Sequence, residues 1–300
     1  MFQRSRRSWL LMREAWQVLR QDRGLVLFPI LSGFFSLLAL ASFAVPFFLL
    51  MPWDQINHGR TGATAQSADA GFGPWSYLFL FLFYLVTYFI IVFFNSGLVA
   101  CVRMRLAGEE PTVRDSLSFS MANVGRIFAW ALLSATIGTV LKSVEERLGW
   151  LGRIIIRLIG VAWSLATAFV VPVLVYERVG PFEALKRSAA VFKRTWGEAV
   201  IANIGLSAAF SLLAFVPTIA ALVLSTIVFA VLQPSAPALS ALILVGTILL
   251  CIIYWIGLAT IQSALQGIFL TACYEYAITG EVPSVFTREY IVEAWRPKRK

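Results

Sequence analysis

Apolar residues run almost unbroken through Leu25–Met51, Tyr77–Val102 and Ala241–Cys273, while charged residues collect at the borders of these and shorter apolar stretches. Each long run exceeds the roughly 20 residues that cross about 30 Å of hydrocarbon. The pattern predicts transmembrane helices near 25–50, 75–102, 124–141, 154–176, 199–231 and 238–275. At 1.5 Å per residue the fifth stretch reaches about 50 Å. It therefore tilts strongly, kinks at Pro217, or begins as a surface helix.

Shorter amphipathic segments precede the spans. Over residues 2–20, Trp9, Leu11, Met12, Ala15, Trp16, Val18 and Leu19 fill one half of a helical wheel, and Arg6, Arg7, Arg13, Glu14, Gln17 and Arg20 the other. Further on, Phe182, Leu185, Ala189, Phe192 and Trp196 recur at helical spacing, accompanied by Lys186, Arg187, Lys193 and Arg194. A basic helix with an aromatic apolar face suits the bilayer interface, where each Lys or Arg near anionic lipid adds about 1 kcal/mol. The candidate lipid-interface residues are therefore Arg6, Arg7, Trp9, Arg13, Trp16, Lys186, Arg187, Lys193, Arg194 and Trp196. The plainer alternative makes these helices elbows that set orientation.

The chain also repeats itself. A shift of 172 residues lays Ala100-Cys101 and Gly108-Glu109-Glu110-Pro111-Thr112 over Ala272-Cys273 and Gly280-Glu281-Val282-Pro283-Ser284. A shift of 180 lays Arg7-Ser8 and Trp16 over Arg187-Ser188 and Trp196, and a shift of 175 lays Phe35–Ala39 over Phe210–Ala214. A weaker middle copy pairs Asp115-Ser116-Leu117 with Glu183-Ala184-Leu185. The expected fold is an all-α membrane protein: six transmembrane helices as three repeated hairpins, each preceded by a cytosolic amphipathic helix, in a pseudo-threefold bundle. The copies fall near 2–108, 112–180 and 181–281 of one transmembrane domain, with a basic cytosolic tail at 284–300. The Gly-Glu-x-Pro turns act as punctuation: Gly closes one helix in the left-handed region, Pro prevents continuation, and Thr112 or Ser284 caps the next helix.

Charge fixes the expected orientation. Net charge is +9, which invites a nucleic-acid reading, but the basic residues flank apolar spans. Of the 25 Lys and Arg, all but Arg60, Lys142, Arg147, Arg153 and Arg157 fall on the side of the two termini. The positive-inside rule places both ends in the cytosol and predicts no nucleic-acid partner. The partners expected are anionic lipid headgroups at the cytosolic face, and a partner protein or second copy of the chain. The first apolar run is too long for a signal-peptide core and is read as an uncleaved span.

Candidate chemistry is sparse. Cys101, Cys251 and Cys273 lie inside apolar segments and read as inert core thiols, and His58 is the single histidine. No catalytic residue, metal ligand or cofactor site is assigned. Arg103 and Glu275 occupy equivalent places under the 172 shift; they either pair or snorkel separately to the cytosolic surface. Asn95, Gln262 and Gln266 either line a polar path or tie helices together. Small-residue pairs Ser32/Ser36, Ser134/Gly138 and Ser207/Ser211 predict that the outbound spans approach closely.

The basic N-terminal helix with Ser8-Trp9 and Trp16, the Leu27-Phe28-Pro29 entry to the first span and the Gly-Glu-x-Pro turns resemble an uncharacterised group of bacterial six-span membrane proteins. They also look broadly like the membrane domain of glycerophosphodiester phosphodiesterases, whose soluble catalytic part has no counterpart here. The resemblance implies a bacterial inner-membrane location and supplies no activity. The expected function is non-enzymatic organisation of lipid or partner proteins, with transport of a lipid-like or apolar solute as the alternative.

Overall fold

The computed structural model describes residues 16–20, 22–50 and 74–280. These are helical, with no strand among them. After the helical residues 16–20 and a 3₁₀ turn at Arg23–Val26 come α1 (Leu27–Leu50), α2 (Pro74–Leu106), α3 (Val113–Ala122), α4 (Val124–Arg147), α5 (Trp150–Ala166), α6 (Val170–Glu177), α7 (Pro181–Leu232) and α8 (Pro237–Thr279). Among the described residues, six stretches are long and apolar enough to cross a membrane: Arg23–Pro46, Leu78–Leu106, Val124–Glu145, Gly152–Glu177, Gly205–Leu232 and Pro237–Thr279. They coincide with the six predicted from hydropathy. The fifth is the end of one continuous helix, α7, which begins at Pro181 with the predicted surface segment.

The chain divides into two compact units. Of the described residues, one unit gathers those within Ile30–Cys101 and Pro111–Phe192; the other gathers those up to Pro29, Val102–Glu110 and those from Lys193 to Gly280. In the first unit Leu85, Ala131 and Ala135 form a buried cluster edged by Phe81, Tyr84 and Phe89. Aromatic rings extend it: Phe35 stacks on Phe94 at 5.5 Å, and Trp130 stacks on Trp163 at 6.1 Å. Trp130 is buried. In the second unit Leu25, Phe28, Val102 and Tyr274 are fully buried, and the 3₁₀ turn packs on α8.

Polar contacts at proline sites hold the α7–α8 hairpin. Pro217 has no N–H to give the carbonyl of Leu213, four residues back. The Tyr254 hydroxyl donates to that carbonyl at 2.6 Å, and the Trp255 indole N–H donates to the Thr218 hydroxyl at 2.8 Å. In hydrocarbon an unpaired backbone carbonyl is costly, so the neighbouring helix supplies what proline removed.

The ends of the second, fourth and sixth spans share one device. Among the described residues, positive φ occurs at Gly108 (84°), Arg178 (51°) and Gly280 (70°), each just past the end of a span. Each stands three residues before a proline: Pro111, Pro181 and Pro283. At the first end the Glu109 N–H donates to the Met104 carbonyl and the Gly108 N–H to the Arg105 carbonyl, both at 3.0 Å, a Schellman closure. Thr112 then caps α3 as its position predicts, in a capping box with Asp115.

The small residues named for a seam differ in burial. Ser134 is buried, but Gly138 and Ser211 are exposed, and a Cβ added at Gly138 would meet no atom within 4 Å. The exposed apolar side chains around Ser211, such as Leu212 and Phe215, present a face suited to lipid.

Candidate functional site

The fourth span is broken, and the break is where the first unit concentrates its polar contacts. Pro172 cannot donate to the Ala168 carbonyl, and in an unbroken helix its ring would collide with that carbonyl. The helix stops at Ala166 and restarts at Val170. Thr167 closes α5 on itself, its hydroxyl donating to the Trp163 carbonyl at 2.9 Å. The remaining gap is closed by Ser188, two turns into α7. Its hydroxyl donates to the Ala166 carbonyl at 2.6 Å and accepts from the Phe169 N–H at 3.0 Å. Ser188 and Phe169 are fully buried.

Position along the helix explains why serine stands there. Counting from the N-caps Thr112 and Gly180, Ser116 and Ala184 fall at the fourth helical position of α3 and α7, and Ser120 and Ser188 at the eighth. All four have no exposed surface. Small side chains one turn apart let each helix lie close against what it covers. The face turned inward on α7 is thus Ala184–Ser188, about 100° around the helix from Leu185 and Ala189 of the face that hydropathy singles out.

Charges fasten the α6–α7 connection. Arg187 pairs with Glu177 at the end of α6 and, at 2.8 Å, with Glu183 one turn back on α7. The Arg178 guanidinium lies 5.6 Å from the centre of the Phe119 ring on α3, a cation–π contact between a span end and a short helix. Asp115 accepts hydrogen bonds from the Thr112 hydroxyl and N–H, which hold its carboxyl below the usual carboxylate range.

The predicted lipid-interface residues separate in the structure. Arg6, Arg7, Trp9 and Arg13 lie outside the described residues, as do the side chains of Arg194 and Trp196. Trp16 is 42% exposed on a helical segment that buries Val18 and Leu19. Lys186 and Lys193 are exposed and share a face with Phe182, which is 73% exposed. Arg187 is drawn instead into the two-carboxylate clamp. Asn95, Gln262 and Gln266 are half-buried, the first on α2 and the pair one turn apart on α8. Arg103 and Glu275 are half-buried near the ends of those helices, within one compact unit.

The second unit contains a contact that span counting does not reveal. Asp22 caps the 3₁₀ turn through the Gly24 N–H at 2.9 Å, while its other carboxylate oxygen accepts from Arg105 at 2.8 Å. The entry to the first span is thereby tied to the end of the second. The sequence signal for it is weak: an Asp beside an Arg-Gly pair, 83 residues from its partner. Ser188 is visible in the sequence only as a match in the internal repeat, and the break itself only as Pro172 within an apolar run.

Among the described residues, no group of three or more His, Cys, Asp and Glu could hold a metal ion. Six apolar helices make this a multi-pass membrane protein, helical and without strands among its described residues, with a discontinuous fourth span. The chain belongs to a family of unknown function, DUF6159, whose profile matches residues 75–284. No curated protein and no solved structure matches it.

Proposed function

We propose that the protein is a non-enzymatic component of the bacterial inner membrane that gathers anionic lipid, or a partner protein, at its cytosolic face. The observation that carries this is the exposed pair Phe182 and Lys186 on the first turns of α7, opposite the buried Ala184 and Ser188; Lys193, further along the same helix, is exposed as well. An aromatic anchor beside two lysines, fixed to a span by hydrogen bonds, places positive charge at headgroup depth.

Both termini are cytosolic in this proposal, and the chain is three related hairpins. Its supports are the Lys and Arg asymmetry, the three left-handed span ends before proline, and the matched buried positions of α3 and α7. The likeness to the membrane domain of glycerophosphodiester phosphodiesterases belongs to the same proposal, resting on Trp16, Leu27-Phe28-Pro29 and the turns. A tag placed between Asn57 and Ala70 is expected to be reachable only from the periplasm; a cytosolic tag would overturn the topology.

Nanodiscs containing phosphatidylcholine with a minor share of phosphatidylglycerol test the lipid proposal. The native protein is expected to retain phosphatidylglycerol preferentially, and the Lys186→Ala, Lys193→Ala double variant to lose that preference. Equal retention by both would remove the basis for lipid gathering at α7. Solute flux through proteoliposomes abolished by Gln262→Leu with Gln266→Leu would instead establish the transport alternative.

A further inference from the structure

The last two hairpins differ in the length of their uncharged runs. No Asp, Glu, Lys or Arg stands between Glu198 and Glu275, a span that includes most of α7 and nearly all of α8. From Glu198 to Leu232 is about 51 Å of helix, and from Pro237 to Glu275 about 57 Å. The middle hairpin is much shorter. On α4 only Ile127–Leu141 separates Arg126 from Lys142, about 22 Å of uncharged helix against a hydrocarbon core of about 30 Å. On its return, Leu158–Tyr176 separates Arg157 from Glu177, about 28 Å and close to the core thickness, so α4 is the short leg; the break at Thr167–Phe169 lies inside the return stretch.

The same hairpin carries a polar stripe on its outer surface. Arg153, Arg157, Gly160, Ser164 and Thr167 follow one another at spacings of four and three, so they share one face of α5 and its final turn. Arg153, Arg157 and Ser164 are exposed, Gly160 and Thr167 half-exposed, and a Cβ at Gly160 would meet nothing within 4 Å. Ile155, Leu158 and Ile159 beside them are exposed too, so the stripe is bounded by side chains suited to lipid. Arg157 reaches Glu145 only at 3.8 Å, and its side chain remains 75% exposed.

We propose that the α4–α6 hairpin thins the bilayer locally and that the α5 stripe carries phospholipid head groups inward, so that the protein scrambles phospholipids between leaflets. A span shorter than the hydrocarbon core draws the surrounding bilayer thinner, at a fraction of a kcal/mol per Å. Arg153 and Arg157 are chemically suited to lipid phosphate, since guanidinium donates paired hydrogen bonds to phosphate oxygens. Below them Gly160, Ser164 and the Thr167 turn replace bulky apolar side chains, leaving a path of about 20 Å from Arg153 to the break. No bond is made or broken; the protein lowers the barrier to moving a head group through hydrocarbon. This site lies apart from the Lys186–Lys193 stripe and does not depend on it.

Proteoliposomes with trace fluorescent phosphatidylcholine, bleached from outside by dithionite, provide the test. Native protein is expected to expose inner-leaflet probe faster than empty vesicles, and faster in dimyristoleoyl- than in dieicosenoyl-phosphatidylcholine. Arg153→Leu with Arg157→Leu is expected to slow exchange roughly tenfold, the rate equivalent of losing one strong phosphate contact. Gly160→Ile with Ser164→Leu fills the stripe at positions with open space and should slow it comparably while leaving the unfolding midpoint unchanged. Exchange at the rate of empty vesicles, or exchange indifferent to the Gly160 and Ser164 changes, would overturn the proposal. Lys186→Ala with Lys193→Ala should leave scrambling intact, which separates this outcome from that of the lipid-gathering experiment.

Discussion

The Tyr254 hydroxyl donates at 2.6 Å to the carbonyl of Leu213, the one from which Pro217 withholds a helical donor. A residue 41 positions away thus repairs a defect written into α7 by its own sequence. The proline is accommodated because α8 returns beside it.

The pairing predicts a thermodynamic cycle. Tyr254→Phe is expected to destabilise the native protein by about 0.5–1.5 kcal/mol, the range of interhelical hydrogen bonds in membranes. In a Pro217→Ala background the helix supplies its own donor, and Tyr254→Phe should cost much less. Reversible unfolding in mixed micelles measures both, and equal costs in the two backgrounds would show the contact to be incidental.

Ser188 closes two backbone groups at once. Ser188→Ala leaves the Phe169 N–H and Ala166 carbonyl without that partner inside the protein, at an expected cost of about 1–3 kcal/mol. Amide exchange at Phe169 should accelerate in parallel, because the break in the fourth span then opens locally. Unchanged exchange at that amide would contradict a latch role.

The Asp22–Arg105 pair joins two span ends at a partly buried site, with side-chain exposures of 16% and 30%. Asp22→Asn or Arg105→Leu is expected to cost about 1.5–3 kcal/mol, as for hydrogen bonds to charged groups. The swapped pair Asp22→Arg with Arg105→Asp should recover part of the loss in thermal unfolding, while the capping of Gly24 stays lost.

Left-handed span ends make opposite predictions for opposite residues. Gly108→Ala and Gly280→Ala each force a Cβ into the left-handed region and should destabilise by about 1–2 kcal/mol. Arg178→Gly relieves that strain but removes the cation–π contact with Phe119, worth about 0.5–1 kcal/mol at exposed sites. Its net effect on the unfolding midpoint should therefore be small, and clearly milder than either glycine replacement.

Acidification should loosen the α3 cap. The hydrogen bonds from Thr112 hold the folded Asp115 carboxyl below its ordinary value, so their contribution is complete above the usual carboxylate range. It is lost as pH falls through the lowered folded value. Carboxyl titration by NMR should show the depressed midpoint, and Thr112→Ala should return it toward normal.

Much of this protein is determined by its sequence without reference to contacts. Long runs rich in apolar residues set the number and position of the six spans, because hydrocarbon offers no partner for an ionised side chain or an unpaired backbone. Local chemistry likewise set the ends of spans two and six and the cap at Thr112, since glycine, proline and threonine act within a few residues of themselves. Tertiary structure decided what satisfies the groups that proline and helix ends leave open. The sequence marks Pro172 and Pro217 as trouble, but only packing brings Ser188 to the first break and Tyr254 to the Leu213 carbonyl. It also turned Ala184 and Ser188 inward and drew Arg187 into a clamp between carboxylates. Hydrophobicity is a property of each residue summed along a stretch; hydrogen-bond satisfaction is a property of pairs, and the partners here stand 19 to 83 residues apart.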